Sequence, residues 1–150
     1  MSDTFLRLIP VLPDFVPSRE AAEAATAKLK EFAPDASQIE AQWPTEIQFV
    51  DQGGNFERLL CPHCGSDVTD HFSDWMEAAY QSKFEKREVS LPCCRKGSDL
   101  NDLVWQWPAG FAKFILEAMN PELQSWLPEA NQREIETILG CGVRQIYAHY

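Results

Sequence analysis

Four of the five cysteines fall into two pairs, Cys61-Pro62-His63-Cys64 and Cys93-Cys94. The sulfurs of a Cys-x-x-Cys segment converge when the backbone between them turns tightly, and Gly65, directly after the second cysteine, eases that turn. Thiolates are soft ligands, and zinc is the redox-inert ion for a closed set of them. The expected site is therefore Cys61, Cys64, Cys93 and Cys94 around a structural Zn2+. A site with four protein ligands has no open position for water, so it supports a fold rather than catalysis. Adjacent Cys93 and Cys94 depart from the usual spacing. Neighbours in a strand point to opposite faces, so both reach one metal only where the chain bends; Pro92 and Gly97 frame such a bend. Two alternatives stand beside this reading. His63 or His71 completes a site of three cysteines and one histidine, or the cysteines are small buried hydrophobes or a redox pair.

Two strand tips, ending at Leu60 and Leu91, must bring the pairs together. Around them the apolar pattern gives a strand over 4–12 and a helix capped by Ser18 and running to Phe32, with Ala22, Ala25, Leu29 and Phe32 as its stripe. Extended segments follow at 37–43 and 46–50. A helix over about 70–83 carries Phe72, Trp75, Met76, Ala79 and Tyr80 on one face. A strand at 87–91 leads into the second cysteine pair. Leu103, Trp105 and Trp107 alternate as one face of a further strand, read as a core that props the metal lobe rather than as a stacking platform for bases. Glu122 to Leu127 reads as a helical turn, 128–139 as a helix ended by Gly140, and 143–150 as a last strand. Residues 111–119 fit either period; a strand beside 143–150 is expected on topological grounds. No internal sequence repeat is evident.

With residues 56–108 set aside, the order is strand–helix–strand twice. The expected fold class is α+β: a ferredoxin-like split β-α-β body with an inserted zinc-ribbon-like lobe. The whole chain, 1–150, is then one domain with residues 56–108 as an insert within it. At 150 residues it is long enough to bury a core without disulfides.

The run Gly54-Asn55-Phe56-Glu57-Arg58, Cys61-Pro62-His63-Cys64-Gly65, Leu91-Pro92-Cys93-Cys94, Ser98-Asp99-Leu100-Asn101-Asp102-Leu103 and Trp107-Pro108-Ala109-Gly110-Phe111-Ala112, closed by Tyr147-Ala148-His149-Tyr150, resembles a family of small uncharacterised bacterial proteins with a zinc-ribbon-like centre. The resemblance implies a bacterial protein without assigned catalytic residues.

The formal net charge is −10, which repels phosphate backbones and anionic membranes. Basic residues gather at Lys83, Lys86, Arg87, Arg95 and Lys96, yet residues 56–108 hold six Lys and Arg against nine Asp and Glu. No apolar run approaches a membrane span, and Asp3, Pro10 and Pro13 break up the N-terminal stretch, so a cytoplasmic location is expected. No nucleophile with a partnering base is found, and no catalytic residue is assigned. The functional expectation is a non-enzymatic, zinc-stabilised module that binds a protein partner. One form of it is an acidic immunity- or antitoxin-like protein that meets a basic partner by charge complementarity. The alternative is a nucleic-acid-binding zinc ribbon.

Overall fold

The start of one helix and the end of another have visible local causes. In the computed structural model, which describes residues 2–150, the elements in chain order are β1 (Thr4–Pro10), α1 (Arg19–Phe32), β2 (Gln38–Gln42), β3 (Gln48–Val50), β4 (Arg58–Leu60), α2 (Phe72–Tyr80), β5 (Glu88–Ser90), β6 (Gly97–Asp99), β7 (Val104–Gln106), β8 (Gly110–Ala112), β9 (Ile115–Met119), α3 (Glu129–Leu139) and β10 (Val143–His149). Short 3-10 turns at Thr69–His71 and Leu100–Asp102 precede α2 and β7. Ser18 starts α1 by accepting the Ala21 N–H at 3.1 Å, which satisfies one of the donors a helix start leaves free. Gly140, at a φ of 81°, ends α3, a left-handed conformation that glycine adopts without strain.

The chain is α+β, with one main antiparallel sheet of order β10-β1-β9-β2 and three α-helices. β1 and β2, joined through α1, are separated by β9; β9 and β10, joined through α3, are separated by β1. Leu6 and Leu8 of β1 and Leu116 and Ala118 of β9 share one sheet face. They pack in one cluster with Ala22, Ala25 and Leu29 of α1 and Ile135 and Leu139 of α3. The small alanines let α1 lie close on the sheet. On the opposite face Arg7 pairs with Glu117 at 2.8 Å, and Ile9, Ile115 and Ile146 pack against Val50 and Ala112.

The segment between β2 and β9 builds a second core. Leu59, Val68, Ala79, Leu91, Leu100, Leu103, Trp105 and Phe111 are buried there, with Phe72, Trp75 and Met76 of α2 packed against them. Trp105 is the centre: its indole N–H donates to Leu100 O at 2.9 Å, and Phe49, Phe56 and Phe72 lie around its ring. Arg144 and Asn101 join this segment to the sheet. Arg144 donates to Asn101 O at 3.0 Å and to Ala109 O at 2.8 Å. Buried Asn101 donates to Val11 O and accepts the Phe111 N–H, both at 3.0 Å.

Four sequence expectations change. Residues 111–119 are extended but split: Gly110–Ala112 pairs with β3, and Ile115–Met119 pairs with β1 and β2, not with 143–149. The α3 crossover spans the width of one strand, and β1 fills the place between. Trp107 leaves the face of Trp105; it is 38% exposed and its ring lies 5.8 Å from that of Trp126. Glu122 to Leu127 forms bends rather than a helical turn. The helix expected over 70–83 ends at Tyr80, because Lys83 and Phe84 turn back at positive φ, 56° and 62°.

Candidate metal centre

Two hairpins carry the four cysteines, and the same hydrogen bonds close both. In the first, Cys61 N donates to Ser66 O at 2.8 Å and Gly65 N to Cys61 O at 3.0 Å. In the second, Leu91 N donates to Lys96 O at 2.8 Å and Arg95 N to Leu91 O at 2.8 Å. Gly65 and Arg95 both have positive φ, 77° and 63°. The Leu60–Asp67 bridge and the Ser90–Gly97 pair close the two strand ends alike. Every correspondence has an offset of thirty residues, so the hairpins are a structural repeat. The sequence hides it: of Cys-Pro-His-Cys-Gly-Ser and Leu-Pro-Cys-Cys-Arg-Lys, only the second and fourth residues agree.

The repeat explains the adjacent cysteines. Cys64 and Cys94 are equivalent, at the fourth position. Cys61 occupies the first position of its hairpin, where the second hairpin has buried Leu91. The fourth sulfur comes instead from Cys93, the counterpart of His63. One sulfur atom from each of Cys61, Cys64, Cys93 and Cys94 lies within 4.8 Å of every other. Cys61 Sγ and Cys94 Sγ are 3.8 Å apart. A zinc–sulfur bond of about 2.3 Å places tetrahedral ligands about 3.8 Å from one another, so the spacing suits one ion.

The first hairpin aims its backbone at its sulfur. His63 N and Cys64 N donate to Cys61 Sγ at 3.3 and 3.4 Å. Burial pushes the Cys61 thiol up, but these donors outweigh it and the net shift is down. The Ser66 hydroxyl, 3.2 Å from Cys64 Sγ, and its backbone bring Cys64 down to about 6. Cys93 goes the other way, up to about 12, through local desolvation among the packed sulfurs and the neighbouring Cys64 and Cys61. Sulfurs this close resist sharing several negative charges, and a divalent cation removes that conflict.

The histidines stand aside. His63 Nε2 lies 3.1 Å from Gly97 O, and the His71 ring stacks on Trp75 at 5.1 Å. Cys141 follows α3 outside the cluster; burial and Glu136 push its thiol up. Sequence reasoning missed the equivalence of Leu91 and Cys61, and the Asn101–Arg144 junction. The shared Pro and Cys at thirty-residue spacing were the available signal for the first; nothing local marks the second.

No family model, no curated protein and no solved structure matches the chain. Among the described residues no helix is long and apolar enough to cross a membrane.

Proposed function

We propose that this protein is a zinc-stabilised, non-enzymatic interaction module: a ferredoxin-like body carrying a zinc-ribbon-like lobe. The observation that carries the reading is the convergence of four sulfurs at the tips of two equivalent hairpins. The body reading is supported by the sheet order, in which two split β-α-β units interlock. Four thiolates fill a tetrahedral zinc, leaving the ion a structural rather than a Lewis-acid role. Purified reduced protein should hold one equivalent of zinc by elemental analysis. Iron with a visible charge-transfer band, or no metal, overturns the reading.

A cytoplasmic protein partner with a basic surface suits the rest of the molecule. Val11, Leu12 and Val16 are exposed at 40%, 66% and 47%. Val11 and Leu12 line a groove of about 530 Å³ with Asp14, Asp102 and the Arg87–Asp99 ion pair. An apolar centre with Asp14 and Asp102 at its edge favours a partner with apolar anchors and a basic rim. Capture from native cytosol should yield a basic partner whose retention falls with salt and is lost in Leu12→Ser and in Asp14→Asn/Asp102→Asn. A partner indifferent to all three changes overturns this assignment.

The nucleic-acid alternative loses ground to the ion pairs. Lys83 pairs with Glu46 at 3.0 Å and Arg87 with Asp99 at 3.1 Å. Of the five basic residues in the lobe's cluster, Lys86, Arg95 and Lys96 are left without an ion-pair partner among the described residues. On a protein of net charge −10 they make a weak phosphate-binding surface. Submicromolar nucleic-acid binding lost on neutralising these three would reverse the order of the two readings.

A further inference from the structure

We infer that Cys93 is the nucleophilic ligand of the centre and a modification site for small, soft carbon electrophiles such as alkyl halides. The inference rests on the metal reading above and concerns which sulfur reacts.

The asymmetry of the repeat makes the choice. A thiolate held by N–H or O–H donors has part of its charge neutralised and loses nucleophilicity; one without them keeps it. Cys61 Sγ receives two backbone N–H groups, and Cys64 Sγ has the Ser66 hydroxyl beside it at 3.2 Å. The turn donors of the second hairpin would serve a sulfur at its first position, but Leu91 stands there. Cys93 contributes its sulfur from the third position, and among the described residues no N–H donates to it. Access narrows the choice further. Cys61 is buried and Cys94 is half-buried against the lobe's core, whereas Cys93 and Cys64 are exposed. Exposure alone does not separate Cys93 from Cys64; the Ser66 hydroxyl does.

In the reaction a lone pair of the Cys93 thiolate forms a C–S bond to the electrophilic carbon. The bond from that carbon to its leaving group breaks, and the leaving group departs with the electron pair. No proton moves and nothing is oxidised or reduced. The product is a neutral thioether, so a site of four thiolates and one divalent ion passes from dianionic to monoanionic. Chemical modification is thereby converted into a local charge change beside Arg95 and Lys96.

The test uses the full chain with its metal content first measured by native mass spectrometry. Substoichiometric iodoacetamide is added, the protein is denatured with chelator, and the remaining thiols are labelled with heavy iodoacetamide. Tandem fragmentation then separates Cys93 from Cys94, and Cys141 is scored apart as a reference thiol. Cys93 should carry the first cluster adduct, at about tenfold the level of Cys64. Ser66→Ala should raise the Cys64 share while leaving the metal content at one equivalent. Equal labelling of the four, or Cys64, Cys61 or Cys94 ahead of Cys93, overturns this inference and leaves the metal reading standing. A chain that holds no metal overturns both.

Discussion

Moving a ligand from Cys93 to position 91 tests the two-hairpin account most directly. Leu91 is 1% exposed and sits where the first hairpin has Cys61. Cys93→Ser alone removes one thiolate of four. Losing a direct ligand should exceed the ten- to hundredfold loss typical of an outer partner, so metal affinity should fall by at least about a hundredfold, or about 3 kcal/mol. Adding Leu91→Cys should bring a sulfur to the equivalent first position, where the backbone N–H groups of residues 93 and 94 can donate to it as those of His63 and Cys64 do to Cys61. The truncation of Leu91 removes buried hydrocarbon worth about 1–2 kcal/mol. The ligand gain exceeds that cost. The double variant should therefore recover metal affinity to within about tenfold of the parent, while its metal-free form melts below the metal-free parent. Competition with a chromogenic chelator reads the first quantity and thermal unfolding in chelator the second. A double variant that binds no more tightly than Cys93→Ser refutes the equivalence of Leu91 and Cys61, and with it the explanation of the adjacent cysteines.

Replacing Cys61 and Cys64 together with Ser, or adding a strong chelator, should open the lobe before the body, because binding energy at such a site is folding energy. Limited proteolysis should cut first between Gly65 and Lys96 while α1 and β10 stay protected; an unchanged cleavage map counts against the metal as the lobe's staple. Asn101→Ala should destabilise the protein by about 2–3 kcal/mol in denaturant unfolding, since it leaves the Val11 carbonyl and the buried Phe111 N–H without their partner. A change under about 0.5 kcal/mol would remove Asn101 from the junction between lobe and sheet. Arg95→Gly should raise the lobe's melting temperature with the metal retained, because it relieves a left-handed non-glycine residue costing about 1 kcal/mol; a lower melting temperature would mean that the Arg95 side chain contributes more than its backbone costs.

Local order was legible because its causes are local. The Ala22, Ala25 and Leu29 stripe, the Ser18 cap, the Gly140 stop and the strands β1, β2 and β10 follow from side-chain period and from the conformations that glycine, proline and serine favour within a few residues. The four cysteines were likewise legible as a set, since thiolates at such spacing have few other uses inside a chain. What the tertiary structure decided depends on partners far away in sequence. Ile115–Met119 suits an edge or a central place equally well by its own residues; the crossovers of α1 and α3 put it between β1 and β2. Trp105 and Trp107 look alike by alternation, and only the lobe's core separates the buried ring from the exposed one. The repeat of the two hairpins is carried by backbone N–H and C=O groups that every residue shares, so Leu91 can stand in Cys61's place with only the shared Pro and Cys, thirty residues apart, to mark the equivalence. Arg144 and Asn101 meet across 43 positions, and a hydrogen bond between such groups has no periodicity to announce it. Sequence alone determined which segments could form and which residues could hold a metal. Burial and long-range hydrogen bonding decided which strands are neighbours and which sulfur takes the fourth place.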